Sequence, residues 1–412
     1  MENLRASEAQ RVIFESVTTL GIESVRLEQS VGRVLAEDLR ANRDLPPYDV
    51  SAMDGFAMRA EDIVSAPSRL EIIEDINAGD MPKRTVGAGQ CARIMTGAPM
   101  PQGADAVIKV EDTQDISSSC VQINVMAVAG NFVRPRGESM HVGDAVLTAG
   151  TTITPGVVGV LATLKAKQFC VYRRPSVAIL STGDELEGLN DPVDPNKIPD
   201  SNTYAVMAQL QGLGIEPFLL GIARDDPVEL ESHLKRGLEF DVLLVSGGSS
   251  AGVRDYVRSS IERLGVHVKF WRVATRPGHP FAFGMSERTC FFGLPGNPVS
   301  SMVCCEQFVM PALRRMMGQA RPFRRTITAR LARAFRTNPG RTEFVRVQLS
   351  QENFEFVATP TGSQSSVVLL SMAMADGFMV VPVDCPGLAA GEQVTVQLFD
   401  SAVLQESMGF RE

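Results

Sequence analysis

The strongest constraint on this fold is the alternation of apolar runs and helical stretches between residues 176 and 317. Four short runs, SVAIL (176–180), EPFLLGIA (216–223), DVLLVSG (241–247) and CFFG (290–293), each give way to a polar or glycine-rich loop. Consecutive apolar residues leave no strand face suited to water, so such strands are covered on both sides, as in a parallel sheet between helices. Helices are predicted from Asp200 or Ser201, either a good N-cap, to about 213, from about 227, over 253–264 and over 299–317. Further strands are expected near 270–273, 280–283 and 290–292. The pattern predicts a doubly wound α/β domain.

The flanks read differently. Ala6, Ala9, Val12, Ile13, Val17 and Leu20 fall on one face of a helix covering the first twenty residues. From 24 to about 155, short β-type runs are broken by PPYD, NAGD, GAGQ, TGAPMPQGAD, PRGE and HVGD, the texture of an irregular β-rich region. From 321 the period becomes two, in TITARLAR, EFVRVQLS, NFEFVATP, GFMVVP and EQVTVQLF, which predicts a small separate β domain. A chain of 412 residues exceeds what one core normally serves, in keeping with several domains.

Composition excludes several function classes. Lys+Arg 40 against Asp+Glu 48 gives a net charge of −8, without the basic surplus of a general nucleic-acid binder. Seven scattered cysteines and four distant histidines offer neither a disulfide framework nor soft-metal ligand spacing. The charged start MENLRASEAQR has no apolar signal core, and no apolar run approaches the ~20 residues that cross a bilayer. A soluble, cytoplasmic protein is expected.

In an open α/β sheet, ligands bind beyond the carboxyl ends of the strands. Four loops occupy such positions: Ser181-Thr182-Gly183-Asp184-Glu185, Arg224-Asp225-Asp226, Ser246-Gly247-Gly248-Ser249-Ser250 running on to Asp255, and Leu294-Pro295-Gly296-Asn297-Pro298. A Gly/Ser-rich loop entering a helix presents bare N–H groups and suits phosphate. Carboxylates beside an anion site imply an intervening cation, and hard oxygen donors imply Mg²⁺. P-loop and dinucleotide motifs are absent. Arg276 is either a surface charge or an oxyanion clamp, and Asp54, in the small-residue run SAMDG, is either a turn residue or a catalytic acid.

Taken together, PPYDVSAMDGFA, RIMTGAPMPQGADAVIKVED, VRPRGE, ILSTGDEL, DSN, GIARDD, LLVSGGSSAGVRDYV, RPGHPFAFG and FFGLPGNPVSS resemble, in order, the molybdopterin molybdenumtransferase family of bacterial MoeA and the gephyrin E-domain. The resemblance implies four domains: an α/β molybdopterin-binding domain (1–23 and 168–320), a linker domain (24–43 and 140–167), a β-rich domain bearing SAMDG (44–139) and a C-terminal β domain (321–412). It implies Mg²⁺-dependent insertion of molybdate into adenylylated molybdopterin with release of AMP, by a homodimer, with the molybdopterin adenylyltransferase as a further partner.

By the same resemblance, Gly247, Gly248 and Ser250 hold the pterin phosphate or pyrophosphate, Pro295, Gly296, Asn297 and Pro298 shape the same pocket, and Ser181, Thr182, Gly183, Ser249, Arg276 and Ser300 join them in binding the cofactor. Glu185, Asp225 and Asp255 organise Mg²⁺, Arg276 neutralises oxyanion charge, and Asp54 and Thr96 act from the partner subunit. The chain departs from the family pattern at Ser139, where an acid usually follows the Glu. It departs also at Ser249, at His279 in RPGHP, where KPGKP is commoner, and at ADG, where A-N-G is common. Three functions fit this pattern: the transferase, a non-catalytic cofactor carrier or scaffold, and the preceding adenylylation. The retained acids and SAMDG favour the first.

Overall fold

The computed structural model describes residues 3–247 and 253–399, giving only the backbone of 253–255. The described residues fall into two units, one of 3–36, 150–155 and 168 onward, the other of 37–149 and 156–167. In the first unit, helix α1 (Ala6–Ser16) opens with Glu8 reaching back to the Arg5 N–H at 2.9 Å and buries Ala9 and Ile13. It is shorter than the apolar pattern suggests. The β-branched run Val17-Thr18-Thr19 follows it, and Val17 is already extended though buried.

The α/β domain runs β1 (Val177–Thr182), α2 (Ser201–Gln211), β2 (Phe218–Ala223), α3 (Pro227–Gly237), β3 (Val242–Gly247), α4 (Val253–Arg263), β4 (His267–Phe270), β5 (Ala282–Met285) and β6 (Cys290–Leu294). It ends with α5 (Pro298–Cys304), a π-helical segment Cys305–Val309 and α6 (Met310–Met316). The strand order is β2-β1-β3-β6-β5-β4. The four apolar runs of the sequence form the parallel strands β2, β1, β3 and β6, as their pattern suggested, and β5 alone runs against the rest, antiparallel to both β6 and β4. The reason is local: β5 and β6 are joined by a tight turn closed by Ser286 and Thr289, too short for a crossover helix. The strand expected near 270–273 ends at Phe270, and Thr275–Arg276 leaves this sheet to pair with Thr342–Glu343.

Both faces are covered. Ile13, Val206, Leu210, Phe308 and Leu313 pack on Ile179, Leu244 and Phe292, while Leu230, Leu234 and Ile261 pack on Leu180, Val245 and Phe291. Each such fully buried side chain contributes about 1.5–3 kcal/mol relative to exposure. The expected helix 299–317 widens into its π segment just before Pro311. Proline has no N–H for the carbonyl one turn back. That carbonyl, of Gln307, instead accepts from Gln10 Nε2 at 3.0 Å.

The period-two segments beyond 321 close into a small barrel. Thr342–Glu352 pairs with both Glu355–Pro360 and Gly377–Val381, and the circuit is completed through Thr326–Leu331 and Gln393–Leu398. Closure removes open edges and encloses Leu331, Val345, Val347, Ala358, Met379 and Val396. The second unit holds a six-stranded sheet in which Gly55–Met58 lies between Ala106–Lys109 and Gln90–Ile94, together with a helix, Pro155–Thr163, that the turn-rich sequence had not signalled.

Candidate active site

After β1 the chain crosses to β2 on one side, and after β3 it leads to strands on the other, so the crevice between the ends of β1 and β3 is the sheet's switch point. A pocket of ≈ 90 Å³ sits there. Thr182 comes from the end of β1, Ser246 and Gly247 from the end of β3, and Gly296 and Pro298 from the loop after β6. Asp200, Ser201 and Asn202 form one side, and Glu185, Leu186, Ile198 and Pro199 complete the lining. Five sequence-predicted residues therefore meet in one place: Thr182, Glu185, Gly247, Gly296 and Pro298.

Close packing shapes the floor. Gly247 has φ +109°, and a Cβ there would collide with the Thr182 carbonyl oxygen and lie 2.8 Å from Thr182 Oγ1. That Oγ1 is buried with no hydrogen-bond partner among the described residues. Ser181, beside it, bonds the Thr203 hydroxyl at 2.9 Å, and Thr203 Oγ1 in turn bonds Asp200 Oδ2 at 2.6 Å. Asp200 caps α2, as one of the two sequence alternatives had it, by accepting from the Thr203 N–H at 3.1 Å.

Glu185, which lines the pocket, has Asp184 and Asp225 as neighbours. The Asp225 N–H donates to Asp184 Oδ1 at 3.2 Å. Partial desolvation, then the negative charges of Asp184 and Glu185, raise the Asp225 carboxyl above the ordinary carboxylate value. Among the described residues no ion pair neutralises these three. This uncompensated negative potential, on hard oxygen donors beside a phosphate-sized pocket, fits Mg²⁺, which is usually held by one or two carboxylates plus substrate phosphates. Among the described residues no three His, Cys, Asp or Glu side chains form a ready-made metal cage. The Asp255 side chain, like Gly248, Ser249 and Ser250, lies outside the described residues.

Other sequence-predicted residues stand apart from the lining. Arg276 bonds Glu343 Oε1 at 2.6 Å, with its side chain 43% exposed. Asn297 does not cap its helix but donates to Ser366 Oγ at 2.9 Å, while the Val299 N–H donates to the Ser366 carbonyl at 3.0 Å. Pro295 and Ser300 are buried beneath the same loop, and Gly183 has φ +139° in the turn after β1. His279 Nδ1 donates to the Val273 carbonyl at 2.9 Å. In the second unit, Asp54 Oδ1 accepts from both the N–H and the hydroxyl of Thr96, at 2.7 and 2.8 Å, which lowers its pKa. The two residues singled out from SAMDG and MTGA are thus direct partners.

Sequence reasoning passed over Asn202 and Arg346. Asn202 belongs to the motif DSN but had been given no role. Arg346 is 1% exposed, and burial lowers its pKa to about 10. It donates to Ser371 Oγ and to the carbonyls of Ser363 and Ser365 at 3.1, 3.3 and 3.0 Å, holding the loop whose Ser366 grips Asn297.

The sequence matches the families described as MoeA N-terminal region (domain I and II) over residues 4–164, probable molybdopterin binding domain over 178–315, and MoeA C-terminal region (domain IV) over 328–399. It is 36% identical over 385 residues to a Bacillus subtilis protein named molybdopterin molybdenumtransferase, covering 91% of this chain and 89% of that one. The chain belongs to the molybdopterin molybdenumtransferase (MoeA) family. A Nostoc member of that name is 34% identical, with 94% of this chain and 92% of that one covered. The fold agrees: a molybdopterin biosynthesis MoeA protein from Pyrococcus horikoshii superposes with TM-score 0.84 at 29% identity, covering 96% of this chain and all of that one. The family thus accounts for the α/β domain, the β-rich N-terminal region and the C-terminal β domain alike.

Proposed function

We propose that this protein inserts molybdate into adenylylated molybdopterin with release of AMP, in an Mg²⁺-dependent step. The observation that carries this reading is the meeting of Thr182, Glu185, Gly247, Gly296 and Pro298 in one pocket at the switch point. The phosphate end of the substrate binds there, against backbone that only glycine allows so close. Glu185 and Asp225, with Asp255, hold the Mg²⁺, which when bound offsets the charge of the phosphates. The protein's own contribution is positioning and charge placement, and no side-chain nucleophile is required. Arg276 balances oxyanion charge from its Glu343-paired position.

The protein acts as a homodimer in which the Asp54–Thr96 pair of one subunit serves the pocket of the other, and the adenylyltransferase that makes the substrate is a further partner. The four-part division of the chain belongs to the same reading, and family membership supports all of it. Purified protein given adenylylated molybdopterin, molybdate and Mg²⁺ should release AMP only when all three are present. Tight binding without AMP release would make the protein a carrier. Mixing inactive Asp54→Ala and Glu185→Ala subunits should restore up to about a quarter of wild-type turnover by random pairing, and no recovery would place both residues on one subunit's site.

A further inference from the structure

We infer that Asn202 is a positioning residue for the transfer reaction, the tie that fixes the separation of the two described segments shaping the switch-point pocket, Ser246-Gly247 at the end of β3 and the turn at Gly296. The inference rests on the proposed reading of the switch-point pocket. Asn202 stands in the first turn of α2, is 9% exposed and lines the pocket. Its Nδ2 donates both protons, one to Ser246 Oγ at 2.9 Å and one to the Gly296 carbonyl at 2.8 Å. A carbonyl can only accept, so the amide orientation is fixed by its neighbours.

Ser246 is the last residue of β3 paired with β6, opposite Leu294. Beyond that pair β3 ends at Gly247, and the other chain turns into Pro295-Gly296-Asn297. Among the described residues no other side chain bonds both. The peptide group is planar, so holding the Gly296 carbonyl also fixes the direction of the Asn297 N–H on the same plane. Among the described residues that N–H has no acceptor, at the opening of the helix that begins with Pro298. Asn202 therefore sets both the gap between Ser246 and Gly296 and the aim of one donor. With both protons engaged, its Oδ1 is the remaining acceptor of the amide, and among the described residues nothing donates to it. The same turn is held a second time by Ser366, through Asn297 Nδ2 and the Val299 N–H.

The test is a steady-state comparison of wild type, Asn202→Ala, Ser246→Ala and the double variant. It uses adenylylated molybdopterin, molybdate and Mg²⁺, with AMP affinity by calorimetry and thermal unfolding measured alongside. A loop displaced by about 1 Å can cost roughly 100-fold in rate. Asn202→Ala is therefore expected to lower kcat/KM by about 10- to 100-fold, well below its unfolding temperature. Ser246→Ala, which leaves the Gly296 bond, should lose less, and the double variant should be no worse than Asn202→Ala alone. A lowered unfolding temperature with kcat/KM within about twofold of wild type, or additive losses in the double variant, would overturn the inference. Should Asn202→Ala fail to fold, Asn202→Asp carries the same test, since an isosteric carboxylate cannot donate to the Gly296 carbonyl, and kcat/KM within about twofold of wild type there would overturn the inference. Wild type that neither turns over nor binds AMP sinks the pocket reading itself, and this inference with it.

Discussion

Asp241 offers a quantitative test of how the sheet is held together. It sits at the start of β3 and accepts two bonds from Arg173, both at 2.7 Å, together with the N–H and hydroxyl of Ser176 at 2.8 and 2.7 Å. Burial alone would raise its carboxyl, but these four donors outweigh it and bring the value from 3.8 to about 2. A carboxyl depressed on folding stabilises the fold above its unfolded value, and that stability is lost as pH falls through the folded one. A shift of nearly two units corresponds to about 2 kcal/mol at neutral pH, of which about half remains at pH 3. The perturbation is Asp241→Asn, and the assay is calorimetric unfolding of both proteins from pH 7 down to pH 3, following the transition that contains the α/β domain. The stability gap between wild type and variant should be about 2 kcal/mol at pH 7 and narrow by about half at pH 3. A gap that is flat with pH, or that widens on acidification, would refute the assignment of the stabilisation to an ionised Asp241.

Two further outcomes bear on the site. Gly247→Ala should destabilise the protein by about 2–5 kcal/mol, adding the strain of positive φ to a collision with the β1 backbone, and denaturant unfolding that shows a loss below ~0.5 kcal/mol would contradict the packing described. Asp225→Asn should leave the metal-free protein as stable as wild type or more so, because it removes a carboxylate crowded by Asp184 and Glu185, while lowering Mg²⁺-dependent turnover by roughly tenfold or more. Thermal unfolding without Mg²⁺ and initial rates across a magnesium titration check the two halves.

The α/β domain was legible because burial on both faces forces consecutive apolar residues into the strands, and a run such as VLLV admits few other readings. The C-terminal sheet was legible for the opposite reason, strict alternation. The same alternation concealed Arg346: between the barrel-core residues Val345 and Val347 it takes the polar slot of EFVRVQL and reads as solvent-facing, yet the loop 361–371 folds over it. The loops at the switch point announced themselves by glycine and by following strands. Asn202 did not, because its partners lie 44 and 94 residues away and only the closed sheet brings them together. The reversal of β5 was not legible because the length of its connection to β6, not the composition of the strand, decides its direction.

The Arg173–Asp241–Ser176 knot and the switch-point pocket occupy opposite ends of the same strands. Six residues of β3 separate them, ~20 Å of extended chain. Durability and pocket geometry are therefore written at different addresses in this domain. A lineage moving to hotter or more acidic surroundings has room to alter the amino ends of the strands, trading one ionic knot for another or for apolar packing, while the geometry of the pocket end stays untouched. For the protein engineer the same layout marks the knot end of the sheet as the place to begin.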